Sequence, residues 1–237
     1  MSALEISGLR KAFGGVVALD GVDISMDLGE IVGIVGPNGS GKTTLFNVVT
    51  GVLKATAGSV RWLGEEVGGR PAHQIARKGL IRTYQQAMSF PALSVRENVL
   101  IAREHGAHDV RPVVPPDQLL RFVGLEGQED EIAGSMPFGN LRRLGLALAL
   151  AARPKLLLLD EPAAGLNDGE TEQLAGIITQ LPGLGVGVCL IDHDMNLIAS
   201  ICSHLIVLDF GTKIAEGRPD DVLNDRKVME VYLGAPA

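Results

Sequence analysis

Apolar and polar residues alternate at the start of the chain, in Leu4-Glu5-Ile6-Ser7 and again in Val22-Asp23-Ile24-Ser25-Met26. The β-branched run Val16-Val17-Ala18-Leu19 lies between them. A period of two turns one face of each segment to a core and the other to water, so three strands are expected, separated by glycine pairs and Asp-Gly turns. The pattern then changes. Ile31-Val32-Gly33-Ile34-Val35 is apolar throughout, as a strand covered on both faces must be. Residues 44–49 open a helix, 59–63 form a short strand and 71–78 a short helix. Residues 80–84 form a strand ending at Gln85-Gln86.

From about residue 87 to 152 the pattern is helical. Residues 95–104 carry a helix signature, with Ser94 as N-cap and Glu97 at capping-box spacing. The proline-rich stretch 111–116 is a loop, and 117–123 and 141–152 are two further helices. Strand and helix then alternate again: a strand at 156–160, a helix at about 168–180, strands at 186–191 and 204–209, and helical stretches at 219–223 and 226–232. The pattern predicts an α/β domain with a helical insert.

Composition narrows this reading. The chain has 237 residues, and 46% are hydrophobic but only 4% aromatic. Leu, Val, Ile and Ala supply most of the core, which suits a parallel sheet under helices. The net charge of −7 argues against a general polyanion-binding surface, so no nucleic-acid partner is expected. Cys189 and Cys202 form no C-x-x-C or Cys/His cluster, so both are read as core residues. Met1-Ser2-Ala3-Leu4-Glu5 has no basic segment leading into an apolar one, and the most apolar stretch, 144–159, is broken by Arg153, Pro154 and Lys155. Neither a secretory leader nor a membrane span is expected.

Gly36-Pro37-Asn38-Gly39-Ser40-Gly41-Lys42-Thr43-Thr44 fits the phosphate-loop pattern and stands between a predicted buried strand and a helix. Glycines let backbone N–H groups converge on phosphate oxygens, and a helix N-terminus adds unpaired donors and partial positive charge. Lys42 would supply charge to the β- and γ-phosphates, and the Thr43 hydroxyl would be a ligand for Mg²⁺. A glycine-rich turn that binds nothing is the bland alternative. Four leucines followed by Asp160-Glu161 describe a second buried strand, delivering two carboxylates at its C-terminal end, where open α/β sheets bind ligands. Asp160 is placed to hold Mg²⁺, and Glu161 to orient or deprotonate the water that attacks the γ-phosphate.

Together these motifs resemble the ATP-binding subunits of ABC transporters over nearly the whole chain, and within them the branched-chain amino acid import ATPases. The resemblance implies a phosphate-loop NTPase fold of the ABC type over residues 1–237, with an N-terminal antiparallel β subdomain and a helical subdomain at about 87–152. It implies ATP and Mg²⁺ as cofactors. Phe13 matches the aromatic that stacks on adenine. Gln85, rather than Gln86, matches the glutamine that senses Mg²⁺ and the attacking water. Glu161-Pro162-Ala163-Ala164-Gly165-Leu166-Asn167 matches the catalytic strand end and the loop that crosses a dimer interface. His193, in Ile191-Asp192-His193-Asp194-Met195, matches the switch histidine that contacts the γ-phosphate.

One motif departs. Where the family signature reads Leu-Ser-Gly-Gly-Gln, this chain has Met136-Pro137-Phe138-Gly139-Asn140, and only Gly139 is kept. Pro137 offers neither hydroxyl nor N–H. Gly139 still permits close backbone approach, and a helix N-terminus still presents donors. A lost charge-assisted hydrogen bond would cost about 1.5–3 kcal/mol if it acts only in the transition state. Leu148 stands where many relatives have arginine. The implied assembly is a head-to-tail pair with a second ATPase subunit, identical or similar, bound to transmembrane permease subunits on the cytoplasmic side of the membrane and served indirectly by a solute-binding protein. Two other readings stay open: a lipid-type export ATPase, and a degenerate partner that hydrolyses ATP slowly. DNA-repair and chromosome ATPases of the superfamily need coiled-coil insertions, and this chain has no heptad run.

Overall fold

The computed structural model describes residues 2–83, 88–107 and 109–233. Strands β1 (Leu4–Phe13) and β2 (Val16–Met26) form an antiparallel hairpin. β3 (Ile31–Val35) leaves that sheet and leads to α1 (Lys42–Val49). β4 (Ala57–Trp62) returns to pair with β1, and β5 (Glu65–Glu66) closes the edge, giving the order β2-β1-β4-β5. After α2 (Ala72–Ala76) and β6 (Leu80–Arg82) come the helices α3 (Val95–His105), α4 (Leu119–Phe122) and α5 (Phe138–Ala151). The chain continues through β7 (Leu156–Asp160), α6 (Asp168–Ile178), β8 (Gly187–Ile191), α7 (Met195–Ile201), β9 (His204–Asp209) and β10 (Thr212–Gly217). It ends in α8 (Pro219–Leu223) and α9 (Arg226–Leu233). The second sheet has the order β10-β9-β3-β8-β7-β6, parallel except for β10.

The two-residue period of the buried strands explains how one sheet serves two cores. Leu156, Leu158, Cys189 and Ile191 face a layer made by α1 and the small sheet, with Phe46 and Trp62 at its centre. Leu157, Leu159, Val188 and Leu190 face the opposite way, onto α5 and α6. Helices α3 to α5 share that second cluster with the sheet. Both thiols are buried, which raises the Cys189 thiol well above its ordinary range and pushes the Cys202 thiol up to about 12.

Several expected elements changed. The predicted strands at 16–19 and 22–26 are one strand, which runs through Gly21 at φ 72°. α5 starts three residues before the expected Leu141, directly after Pro137, because proline's fixed φ suits a helix entrance. α4 is shorter than the expected 117–123. β10 was not anticipated, and α7 gives bounds to the short helix-like run before Cys202. β10 is a half-buried edge strand without clean alternation, and α7 is short, set by the Asp194 side chain accepting from the N–H groups of Asn196 and Leu197. The Ser94–Glu97 capping box is present as expected. Among the described residues no helix is long and apolar enough to cross a membrane.

Candidate functional site

The parallel strands send their following loops to one edge of the large sheet: 36–41 after β3, 161–167 after β7 and 192–194 after β8. That edge gathers the candidate chemistry. The loop after β3 is wedged between β2 and the end of β9. A Cβ on Gly36 (φ 149°) would stand 2.0 Å from Leu208 O, and one on Gly41 (φ 105°) 2.5 Å from Ala18 O, so both positions require glycine. Gly39 is also left-handed, at φ 82°. Ser40 is buried, and its carbonyl accepts from Gly211 N–H at 3.0 Å. Asn38 and Thr43 are exposed and Thr44 is half-buried.

Lys42, the first residue of α1, folds back over the loop. Its Nζ donates to Gly36 O at 2.6 Å, Pro37 O at 2.9 Å and Ser40 Oγ at 3.3 Å. Burial lowers its pKa, while Glu161 and then Asp160 act in the opposite direction. α1 begins at a left-handed Gly41 with no side-chain cap, leaving its first-turn N–H groups to an outside acceptor. Two loop glycines with no room for a Cβ, an uncapped helix start and a lysine that donates to neutral oxygens among the described residues fit a phosphate chain.

β7 ends on the buried Asp160. Arg82 Nη2, from the end of β6, donates to Asp160 Oδ2 at 2.5 Å. Glu161 follows in a left-handed conformation, φ 48°, and its N–H donates to Ile191 O at 2.7 Å. A non-glycine residue there carries strain of about 1–2 kcal/mol, which the backbone bond to β8 holds in place. Lys42, Asp160 and Glu161 thus lie within electrostatic reach of one another, from two stretches of chain more than a hundred residues apart.

The loop after β8 is organised by Asp192, a buried residue the sequence reading passed over. Its Oδ2 accepts from Ala163 N–H at 3.2 Å, and its Oδ1 from the N–H groups of His193 at 2.8 Å and Asp194 at 3.1 Å. It therefore ties the loop after Glu161 to the histidine segment. The His193 side chain is 74% exposed, with Nδ1 3.7 Å from Asp192 Oδ1. Gln85 lies outside the described residues.

Two expected site residues stand apart from this cluster. Phe13 ends β1 with its ring exposed and Lys11 Nζ 4.8 Å from the ring centre. Gly139 lies in the first turn of α5, and the close approach there comes from within the chain: a Cβ would meet Glu170 Oε1 at 2.2 Å. Glu170 belongs to the capping box of α6, where it accepts from Asn167 N–H at 3.1 Å. The exposed Phe138 stacks under Arg142 (4.9 Å) and against Gly165, and Arg142 Nη2 donates to Ala164 O at 2.9 Å. Arg142 is lowered by burial and drawn the other way by Asp192 and Glu161. Arg82, Arg142, Asp192 and Glu170 were all missed, because each matters through a partner far away in sequence. A cavity of about 420 Å³ lies elsewhere, between α3 and the end of α5.

With the geometry in hand, comparison with known proteins gives a consistent result. The ABC transporter family matches residues 19–164, and the branched-chain amino acid ATP-binding cassette transporter family matches residues 212–237. The chain is 38% identical to the high-affinity branched-chain amino acid transport ATP-binding protein BraF of Pseudomonas aeruginosa, over 98% of this chain and 97% of that protein. It is 34% identical to the lipopolysaccharide export system ATP-binding protein LptB of Haemophilus influenzae, over 99% and 98%. The ADP conformation of MJ1267, an ATP-binding cassette of an ABC transporter, superimposes with a TM-score of 0.88 at 31% identity, covering 99% of both chains.

Proposed function

This chain belongs to the ATP-binding proteins of ABC transporters, and from that premise we propose that it drives uptake of branched-chain or similar amino acids from the cytoplasmic face of a membrane. It binds nucleotide and is an ATP-hydrolysing subunit. The observation that carries the mechanism is the convergence of Lys42, Asp160 and Glu161 at one sheet edge. The match of residues 212–237 and the similarity to BraF support an amino-acid solute over the lipid-type alternative.

In this reading residues 1–237 form one ATP-binding domain, with 87–152 as its helical subdomain. Phe13 stacks on the adenine, and the loop 36–44 wraps the phosphates. Lys42 exchanges its three neutral oxygens for β- and γ-phosphate oxygens. Thr43, Asp160 and Gln85 would hold Mg²⁺, which would supply Lewis-acid charge at the phosphates. Glu161, fixed by its bond to β8, orients the attacking water and takes its proton. Asp192 fixes the backbone from which His193 reaches the γ-phosphate. Two subunits close head to tail over ATP, with the Gly139 end of α5 facing the partner's nucleotide, and permease subunits follow that motion.

A second reading has a specific observation behind it. The Glu170 carboxylate lies against the start of α5, where an opposing γ-phosphate would dock, and Pro137 offers it no donor. Both features suit a subunit whose own signature completes a slow site in a heterodimer. Phosphate release by the purified chain, alone and with a similar ATPase subunit, separates the two. Fast release by the chain alone supports the homodimer. Release only in the mixed pair supports the second reading. No Mg·ATP binding in either would end both.

A further inference from the structure

The Asp160 carboxylate already has a cation beside it. The Arg82–Asp160 contact is buried, with side chains 4% and 6% exposed. The other arm of the fork, Nη1, donates to Asn47 Oδ1 on α1 at 2.6 Å, and the guanidinium lies 5.5 Å from the Phe46 ring centre. One side chain thus clamps the ends of β6 and β7 to the helix that follows the phosphate loop. A planar fork can do this and an ammonium cannot.

The surrounding charges balance. Among the described residues, Lys42, Arg82 and Arg142 face Asp160, Glu161 and Asp192. Residues 84–87 are Tyr, Gln, Gln and Ala and add no charge. Also among the described residues, no three His, Cys, Asp or Glu side chains come together as a ready divalent-cation site. A free divalent cation meets a neutral cluster whose best carboxylate is taken. The magnesium complex of a nucleoside triphosphate, itself an anion, is drawn in by Lys42 and the start of α1 and brings its own oxygen ligands.

We propose that Arg82 is a positioning residue that reserves Asp160 for a metal arriving with nucleotide and keeps free divalent cations off the carboxylate until then. The inference rests on the nucleotide reading above. It gives Arg82 a job distinct from packing: without its charge the cluster becomes net negative and should take up metal on its own.

The test is Mn²⁺ binding to the full chain without nucleotide, read from the loss of the free-ion electron paramagnetic resonance signal. Arg82→Gln should bind Mn²⁺ at least tenfold more tightly than the wild type. Arg82→Lys, which keeps the charge but not the fork, should exclude Mn²⁺ as the wild type does. The double variant Arg82→Gln/Asp160→Asn should lose the gained site. Equal nucleotide-free affinity in wild type and Arg82→Gln would overturn the proposal, as would tight Mn²⁺ binding by Arg82→Lys, or by the double variant. If Arg82→Gln does not fold, Arg82→Lys decides. A fluorescent ATP analogue with Mg²⁺ is titrated in parallel. Failure of the wild type to bind it would sink the nucleotide reading, while the Mn²⁺ comparison tests Arg82 by itself.

Discussion

The two halves of the candidate ATP site are built differently. The half at the edge of the large sheet is made of loops that leave buried parallel strands, and its polar groups are tied to neighbouring strands by backbone bonds, as Glu161 is to Ile191. The half at the start of α5 is a helix end behind an uncapped Pro137, with an exposed aromatic and a carboxylate against its glycine. The first is preorganised for a phosphate chain, and the second is poorly equipped for one. Catalysis lives in contacts that strengthen in the transition state. Damage to the first half should therefore be severe, and repair of the second should bring gains.

The largest effect is expected from Glu161→Gln. The amide keeps the size and loses the proposed base, so hydrolysis should fall by about 10²–10⁴-fold while ATP binding persists. Phosphate release alongside nucleotide titration checks it. A variant that still turns over at the parental rate would move the base elsewhere.

Backbone geometry gives the next largest effect. Gly36→Ala forces a Cβ to 2.0 Å from Leu208 O at φ 149°, so unfolding free energy should drop by about 3–5 kcal/mol, from strain and overpacking together. Gly8→Ala is the control. Gly8 is left-handed at φ 55° but has nothing within 4 Å of a Cβ, so only about 1 kcal/mol should be lost. Chemical denaturation of both measures how tightly the first half is built.

The sequence revealed the first half because its signals are local. The phosphate loop lies within nine residues, the β7 run delivers Asp160 directly, and the Ser94–Glu97 box spans one helical turn. What stayed hidden depends on long-range pairing. Arg82 meets Asp160 across 78 positions and Asn47 across 35, and nothing near Arg82 marks it as other than a strand-end residue. Asp192 beside His193 reads as an ordinary loop acid until the loop after β7 comes within its reach. Gly139 is a different case. The sequence marked a position of close approach, and the approaching group in this chain is Glu170. β10 was missed because a half-buried edge strand carries no clean alternation.

Repair of the second half is sharper to test. Pro137→Ser restores the hydroxyl and an N–H at the entrance to α5, and hydrolysis should rise by about 10-fold or more if a signature donor limits the rate. An unchanged rate would show that a donor at position 137 does not limit hydrolysis and would weaken the heterodimer reading.

The smallest effect, and the most discriminating, is expected from Glu170→Gln. Glutamine serves a capping box as glutamate does, so the bond to Asn167 N–H is kept and stability should move by less than about 0.5 kcal/mol. What disappears is a negative charge against Gly139, at the face an opposing phosphate must approach. Screened like-charge repulsion of about 1 kcal/mol corresponds to roughly a five-fold gain in hydrolysis. The gain should shrink at high salt, because part of that repulsion is screened in the parent. Steady-state phosphate release at low and high salt reads both effects. A five-fold gain that salt erases locates the weakness of this half in charge. If the rate is unaltered while Pro137→Ser speeds the enzyme, the weakness lies in the missing donor. With neither variant moving the rate, α5 would face the partner in a different register, and the comparison between the two halves would have to be redrawn.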